Sequence, residues 1–123
     1  MILKYLWPLL LLAAAILEVA GDAAVRKGLR GSGAYWIIAG CITLGAYGMV
    51  VNVIHWDFSR LLGVYVAVFA LVSILWGRYV LDEKIAPSTK VGVTIIMLGG
   101  LIISWSEVVL LIRRLVVLLR RET

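Results

Sequence analysis

Long apolar runs separated by short polar segments are the main pattern of this 123-residue chain. A membrane-spanning helix needs roughly 20 apolar residues, with a range of about 17 to 25. Four stretches approach or meet this requirement, and they are residues 5–25, 34–54, 61–77 and 91–105. Because backbone groups cannot remain unpaired in lipid, each stretch is predicted to be a helix. The pattern therefore predicts an all-α integral membrane protein, a bundle of four transmembrane helices.

The segments between the predicted spans are short and rich in turn-forming residues. Residues 28–33 contain three glycines, and residues 78–90 contain Pro87 within a charged cluster. Short connections make neighbouring helices antiparallel, so an even number of spans places both termini on one side. We expect residues 1–105 to form the transmembrane domain and residues 106–123 to form a separate tail. A cleavable secretory signal is the alternative for the first run, but three further spans favour an uncleaved helix.

The composition agrees with a membrane protein, because 63% of the residues are hydrophobic and only 15% are charged. The single cysteine, Cys41, lies inside the second predicted span, so the fold cannot depend on an intramolecular disulfide. The sequence contains no metal-ligand spacing, nucleotide-binding glycine loop or nucleophile triad. We therefore expect neither an enzyme nor a bound metal or cofactor, and no nucleic-acid partner.

Basic residues are evenly divided between the two ends of the predicted bundle, with six on each side when the tail is counted. The positive-inside rule then gives no clear orientation. Two interpretations remain open: the tail arginines are too distant to matter and the first and third loops are cytoplasmic, or the chain inserts in both orientations. Dual insertion would allow an antiparallel homodimer.

Two acids, Glu18 and Asp22, lie in the first predicted span and are four residues apart. Residues at this spacing project from the same face of a helix. A carboxylate within the bilayer is unfavourable by a few kcal/mol or more, so such acids usually face a bundle interior or a wet cavity and take part in transport. We therefore expect Glu18 to face other helices or a cavity.

A carboxyl group in this position can hold a proton or a cation, but not both. Removal from water favours its protonated form, whereas a nearby cation favours its charged form. This competition is the physical basis of proton-coupled exchange. The alternative is that Glu18 is structural and hydrogen-bonded to a neighbouring helix.

The residues around Glu18 have both functional and structural interpretations. Asp22 is either a second acid of the site or an intrahelical partner of Arg26. Gly21 either lets a ligand approach or allows close helix packing. Tyr47 and Tyr65 are central enough in their spans to offer ring faces to a cation, whereas aromatic residues near span ends are more often interfacial anchors.

Glycines and arginines in the last part of the chain suggest two contact surfaces. Gly92 and Gly99 are seven residues apart and share a helix face. Gly100 directly follows Gly99. This smooth stripe predicts either helix packing within one chain or a self-association seam. The tail is predicted to be a basic amphipathic helix, lying in the headgroup layer or binding a specific lipid or partner. Its basic residues are Arg113, Arg114, Arg120 and Arg121.

The chain resembles the small multidrug resistance family of the drug/metabolite transporter superfamily. The run 15–21 followed by Lys27 is similar to the segment around that family's essential membrane glutamate. The end of the third span, residues 73–82, and the glycines Gly92 and Gly99 also match its pattern. The resemblance covers roughly residues 11–103.

This resemblance implies an antiparallel, dual-topology homodimer in the bacterial inner membrane that exchanges protons for small cations at Glu18. The chain departs from the family pattern at Asp22, where a small or hydroxyl residue is common. It also has Gly63 in place of a substrate-contacting tryptophan, and its second-span tyrosine is displaced to Tyr47. These departures concern the substrate more than the fold.

The leading hypothesis is therefore a proton-coupled transporter of a small cationic solute, with Glu18 as the shared site for proton and solute. A flippase, or a flippase subunit, for a lipid-linked substrate is the first alternative. A membrane scaffold without transport activity is the second.

Overall fold

A computed structural model describes residues 4–122, and all regular structure in this part is helical. Five helices follow one another in chain order: α1 (Trp7–Lys27), α2 (Ala34–Asn52), α3 (Phe58–Tyr79), α4 (Pro87–Ile103) and α5 (Trp105–Glu122). The predicted all-α architecture is confirmed for these residues.

Three segments are long and apolar enough to cross a membrane, namely α1 with the turn that follows it, α2 and α3. The fourth helix, α4, has 17 residues. It is followed by α5 after a bend of 74°, so the two helices provide a fourth candidate when they are counted as one span. The described residues thus support an integral membrane protein with three or four spans.

The first predicted loop, residues 28–33, is mostly helical. Gly28–Ser32 continues α1 as a π-helical turn. The reversal into α2 is made by Gly31 and Gly33, whose φ angles are 109° and 102°. Residues with a Cβ rarely adopt these angles, whereas glycine adopts them readily. The two glycines are sufficient to reverse the chain, which is why the rest of the segment remains helical.

The third predicted span, residues 61–77, lies within a longer helix. α3 runs over Phe58–Tyr79 and includes Arg60 and Arg78 near its two ends. The hydropathy pattern identifies the part of a helix that suits lipid, but backbone hydrogen bonding can continue the helix into the polar interface. The helix therefore extends three residues before the predicted span and two residues beyond it.

The fourth predicted span, residues 91–105, is displaced toward the N-terminus because the helix breaks at Ser104. α4 begins at Pro87, whose fixed φ suits a first helical turn. The buried Ser104 hydroxyl donates a hydrogen bond of 2.9 Å to the Gly100 carbonyl four residues earlier. Such back-bonding often bends helices. Trp105 consequently belongs to α5.

The helix α1 is central in the bundle. It packs most extensively against α2 and also against α3, which in turn packs against α4. Gly21 and Gly40 allow α1 and α2 to approach closely, since a Cβ on Gly40 would lie 2.7 Å from the Gly21 carbonyl oxygen. Gly100 allows the same between α4 and α3, since its Cβ would lie 2.4 Å from that of Ala67. Small residues at helix crossings are the usual basis of membrane helix packing.

We predict that Gly40→Ala destabilises the protein, because the added methyl group would meet the backbone of α1. Overpacking of this kind lowers the free energy of unfolding by about 1–3 kcal/mol. Gly45→Ala in the same helix is the matched control, because nothing lies within 4 Å of a Cβ at that position. Thermal unfolding of the purified variants in detergent, followed by circular dichroism, measures the difference. Equal midpoints for the two variants would contradict the close crossing of α1 and α2.

Candidate functional site

The carboxyl group of Glu18 lies on α1 and is held by a tyrosine from α3. Glu18 is half-buried, and its Oε2 accepts a hydrogen bond from the hydroxyl of Tyr65. The side chain of Tyr65 is only 4% exposed. A buried polar group is unfavourable unless it is hydrogen-bonded, and a charged one more so. The Tyr65 hydroxyl therefore stabilises an acid within the apolar bundle.

A second tyrosine completes this arrangement from α2. The rings of Tyr47 and Tyr65 are stacked, with their centroids 5.5 Å apart and their planes inclined by 20°. Phe69, one turn later on α3, lies 6.3 Å from the Tyr65 ring. The structure thus brings together Glu18, Tyr47 and Tyr65, which the sequence had suggested separately. Each comes from a different helix.

The second acid, Asp22, lies at the edge of a cleft between α1 and α3. This cleft has a volume of about 220 Å³. It is lined by Val19, which directly follows Glu18, and by Asp22, which lies one helical turn after Glu18. Asp22 is exposed, and no ion pair joins it to Arg26 within residues 4–122. The Asp22 carboxylate is therefore available to the cleft.

On its α3 side, the cleft is lined by residues that were not among the predicted site residues. They are Phe69, Ser73, Trp76 and Gly77. The indole Nε1 of Trp76 is buried and has no hydrogen-bond partner in the described part of the chain. Buried polar groups are nearly always paired, so an unpaired donor needs an explanation such as a ligand or an ordered water. The spacing of Tyr65, Phe69 and Trp76 at i, i+4 and i+11 marks one helix face and could have identified this wall.

A wider cleft of about 560 Å³ continues toward the loops that join α1 to α2 and α3 to α4. It shares Ala23, Arg26, Trp76, Leu81 and Glu83 with the smaller cleft. It also includes Lys27 at the end of α1, Arg30 in the turn that follows and Trp36 in the first turn of α2. The Nζ of Lys27 lies 3.7 Å from the centre of the Trp36 ring. The two clefts adjoin, and of the two acids of α1 they reach Asp22, whereas Glu18 lines neither of them.

The glycines of the predicted site and seam lie in different surroundings. Gly21 is buried at the crossing of α1 and α2, where its Cβ would lie 2.8 Å from a carbon of Leu44. This position corresponds to the packing interpretation of Gly21. Gly100 packs against α3, but nothing lies within 4 Å of a Cβ built on Gly92 or Gly99. The Gly92 and Gly99 face of α4 is therefore open in a single chain.

The basic residues of α5 are exposed, and three of them form one wall of a separate cleft near the start of the chain. These three are Arg113, Arg114 and Arg121, and Arg120 lies outside this wall.

No group of three or more histidine, cysteine or acidic side chains suited to a metal ion occurs among residues 4–122. The chemistry that the described residues offer is proton exchange and cation binding by carboxylates beside aromatic rings.

Comparison with known proteins gives one family and several relatives. Residues 3–108 match the family described as "Uncharacterised BCR, YnfA/UPF0060 family". A UPF0060 membrane protein from Nocardia farcinica is 37% identical over 97 residues, which cover 76% of this chain and 86% of the relative. Another from Saccharopolyspora erythraea is 35% identical over 99 residues, which cover 79% of this chain and 90% of the relative. No solved structure matches the chain.

We predict that Tyr65→Phe destabilises the bundle, because Glu18 would lose its hydrogen-bond donor while the ring packing is kept. The expected loss in the free energy of unfolding is about 1–2 kcal/mol. Tyr47→Phe is the matched control, because the Tyr47 hydroxyl forms no hydrogen bond within the described residues. Thermal unfolding in detergent compares the two variants. If Tyr65→Phe is as stable as Tyr47→Phe, the hydrogen bond does not hold Glu18.

Proposed function

The chain belongs to the YnfA/UPF0060 family of membrane proteins, and we propose that it is a proton-coupled transporter of small cationic solutes. The proposed location is the bacterial inner membrane. The observation that carries the proposal is the hydrogen bond from Tyr65 to Glu18, which holds an ionisable group inside a membrane-spanning helix. Acids at this depth are a typical feature of ion and proton pathways.

The hydrogen bond supports two alternating states of Glu18. When the carboxylate is charged, it accepts a hydrogen bond from the Tyr65 hydroxyl. When the carboxyl group is protonated, it becomes a donor itself, and the Tyr65 oxygen can accept from it. Tyr65 can therefore satisfy both protonation states without a large rearrangement. This property suits a site that takes up and releases a proton in each transport cycle.

A cationic solute would compete with the proton for the same carboxylate. The proposed solute site combines the charges of Glu18 and Asp22 with the ring faces of Tyr47 and Tyr65, because aromatic faces attract cations. Exclusive occupancy by proton or solute couples the two fluxes, since a carboxylate neutralised by a proton loses its attraction for a cation. The smaller cleft, which reaches Asp22, and the wider cleft beside it provide the proposed access route from one side of the membrane.

The proposed unit is a homodimer of four-span subunits, in which α1 to α4 each cross the membrane. The open face of Gly92 and Gly99 on α4 supports a second copy as its occupant, because small residues allow helices to pack closely. Exposed apolar side chains, including Ile95 and Ile102, flank this face. The even division of basic residues between the two ends of the bundle supports insertion in both orientations and hence an antiparallel dimer.

We predict that Glu18→Gln abolishes solute-driven proton movement in proteoliposomes, because glutamine cannot release a proton. The variant should remain folded, since glutamine can still accept the hydrogen bond from Tyr65. The measurement is the change in internal pH, reported by a trapped dye, when a small quaternary ammonium or guanidinium compound is added. Asp57→Asn is the control, because it makes the same chemical change at an exposed loop position. Proton movement by Glu18→Gln at the wild-type rate would refute the proposal.

We also predict that Gly99→Val weakens self-association by about tenfold or more, because a branched side chain would separate the two copies of α4. Gly48→Val is the matched control, because its Cβ also meets nothing within 4 Å but lies on α2. Resonance energy transfer between labelled subunits in micelles measures the dimer fraction. If both variants dissociate to the same extent, or if neither dissociates, a self-association seam on α4 is contradicted.

A further inference from the structure

A basic cleft lies between the start of the chain and α5, separate from the acids of α1. It has a volume of about 450 Å³. Four cationic side chains line it, and they are Lys4, Arg113, Arg114 and Arg121. Neither acid of α5, Glu107 or Glu122, is among the lining residues. The lining of the cleft is therefore cationic, and of its four cations Lys4 also lines a neighbouring cleft with Glu107.

The position of α5 is set by a bend and an ion pair. The helix axis turns by 74° after α4, at the buried Ser104. Arg60 at the start of α3 then binds the first turn of α5, with its Nη2 3.1 Å from Glu107 Oε1 and 2.8 Å from Ser106 Oγ. These contacts direct α5 across the end of the bundle, where its basic side faces Lys4 and Tyr5.

The opposite side of α5 is apolar and uncovered. Ile112, Leu115 and Val116 are 54%, 53% and 45% exposed. A helix with one apolar and one basic side typically lies in the membrane interface, with its apolar side toward the acyl chains. Placed this way, α5 holds the basic cleft at the level of the lipid headgroups.

Aromatic residues at the same end of the bundle support the position of the basic cleft at the level of the lipid headgroups. Trp7 and Trp56 lie against each other, with ring centroids 5.1 Å apart, and Trp105 is 65% exposed at the start of α5. Tryptophan is enriched at membrane interfaces. Within the cleft, the guanidinium group of Arg114 lies 3.7 Å from the centre of the Tyr5 ring, which orients it without neutralising it.

We propose that this cleft binds the phosphate group of an anionic phospholipid from the surrounding leaflet. The four cations would compensate the headgroup charge, and the aliphatic lining residues Leu110, Val117 and Leu118 would contact the upper acyl chains. Gathering like charges in one cleft is unfavourable unless an anion is bound. The family match ends at residue 108, so most of α5 is a feature of this chain beyond the shared family region. The site is independent of proton exchange at Glu18.

The test uses the full-length protein in phosphatidylcholine nanodiscs that contain increasing amounts of brominated phosphatidylglycerol. The measurement is the mole fraction of the brominated lipid that half-quenches tryptophan fluorescence. A cation near an anionic headgroup contributes about 1 kcal/mol, so the double variant Arg114→Gln/Arg121→Gln should require roughly tenfold to thirtyfold more lipid. Lys4→Gln, which leaves α5 unchanged, should require roughly fivefold more. Circular dichroism verifies that the variants keep their helix content.

The matched control is Lys84→Gln/Lys90→Gln, which removes the same charge at two exposed positions, one in the segment between α3 and α4 and one in the first turn of α4. It should bind phosphatidylglycerol like the wild type. An equal loss of binding in the control would overturn the proposal in favour of general charge attraction. Equal quenching by brominated phosphatidylcholine would also overturn it. Displacement of phosphatidylglycerol by inorganic phosphate, but not by chloride of the same ionic strength, would assign the cleft to free phosphate instead.

Discussion

The fold is organised around one acid that must be accommodated inside an apolar bundle. Glu18 lies on the central helix, and the helix on one side supplies its hydrogen-bond donor, Tyr65. The helix on the other side supplies Tyr47, whose ring covers that donor. Because an unpaired carboxyl group in this setting would be strongly unfavourable, the contacts of α1 with both neighbours are as important for stability as for the proposed chemistry. Packing and the proposed function involve the same three side chains.

Most of the architecture could be predicted from the sequence, because hydropathy reflects what a bilayer demands of a helix. The site could be predicted in part: an acid at residue 18 and central tyrosines at residues 47 and 65 are visible as exceptions to the apolar pattern. Which of these side chains meet could not be predicted, since this depends on the rotation of three helices about their axes. A separate tail after residue 105 could be predicted, but not the break at Ser104 itself, because a single hydroxyl bonded to Gly100 has little effect on a hydropathy average.

The glycines illustrate the same limit. Gly92, Gly99 and Gly100 form one group in the sequence, yet Gly100 is covered by Ala67 while the other two meet nothing within the chain. Adjacent residues on a helix point about 100° apart, so two neighbouring glycines can serve different contacts. Spacing identifies a smooth helix face, but only the packed arrangement distinguishes the face used within one subunit from the face left open.

The bend between α4 and α5 has an evolutionary consequence. The family match ends at residue 108, only a few residues after Ser104. A sharp corner at this point lets additional sequence leave the bundle without disturbing the four helices that precede it. Selection can therefore lengthen, recharge or replace the appended helix as a module while the shared region stays unchanged.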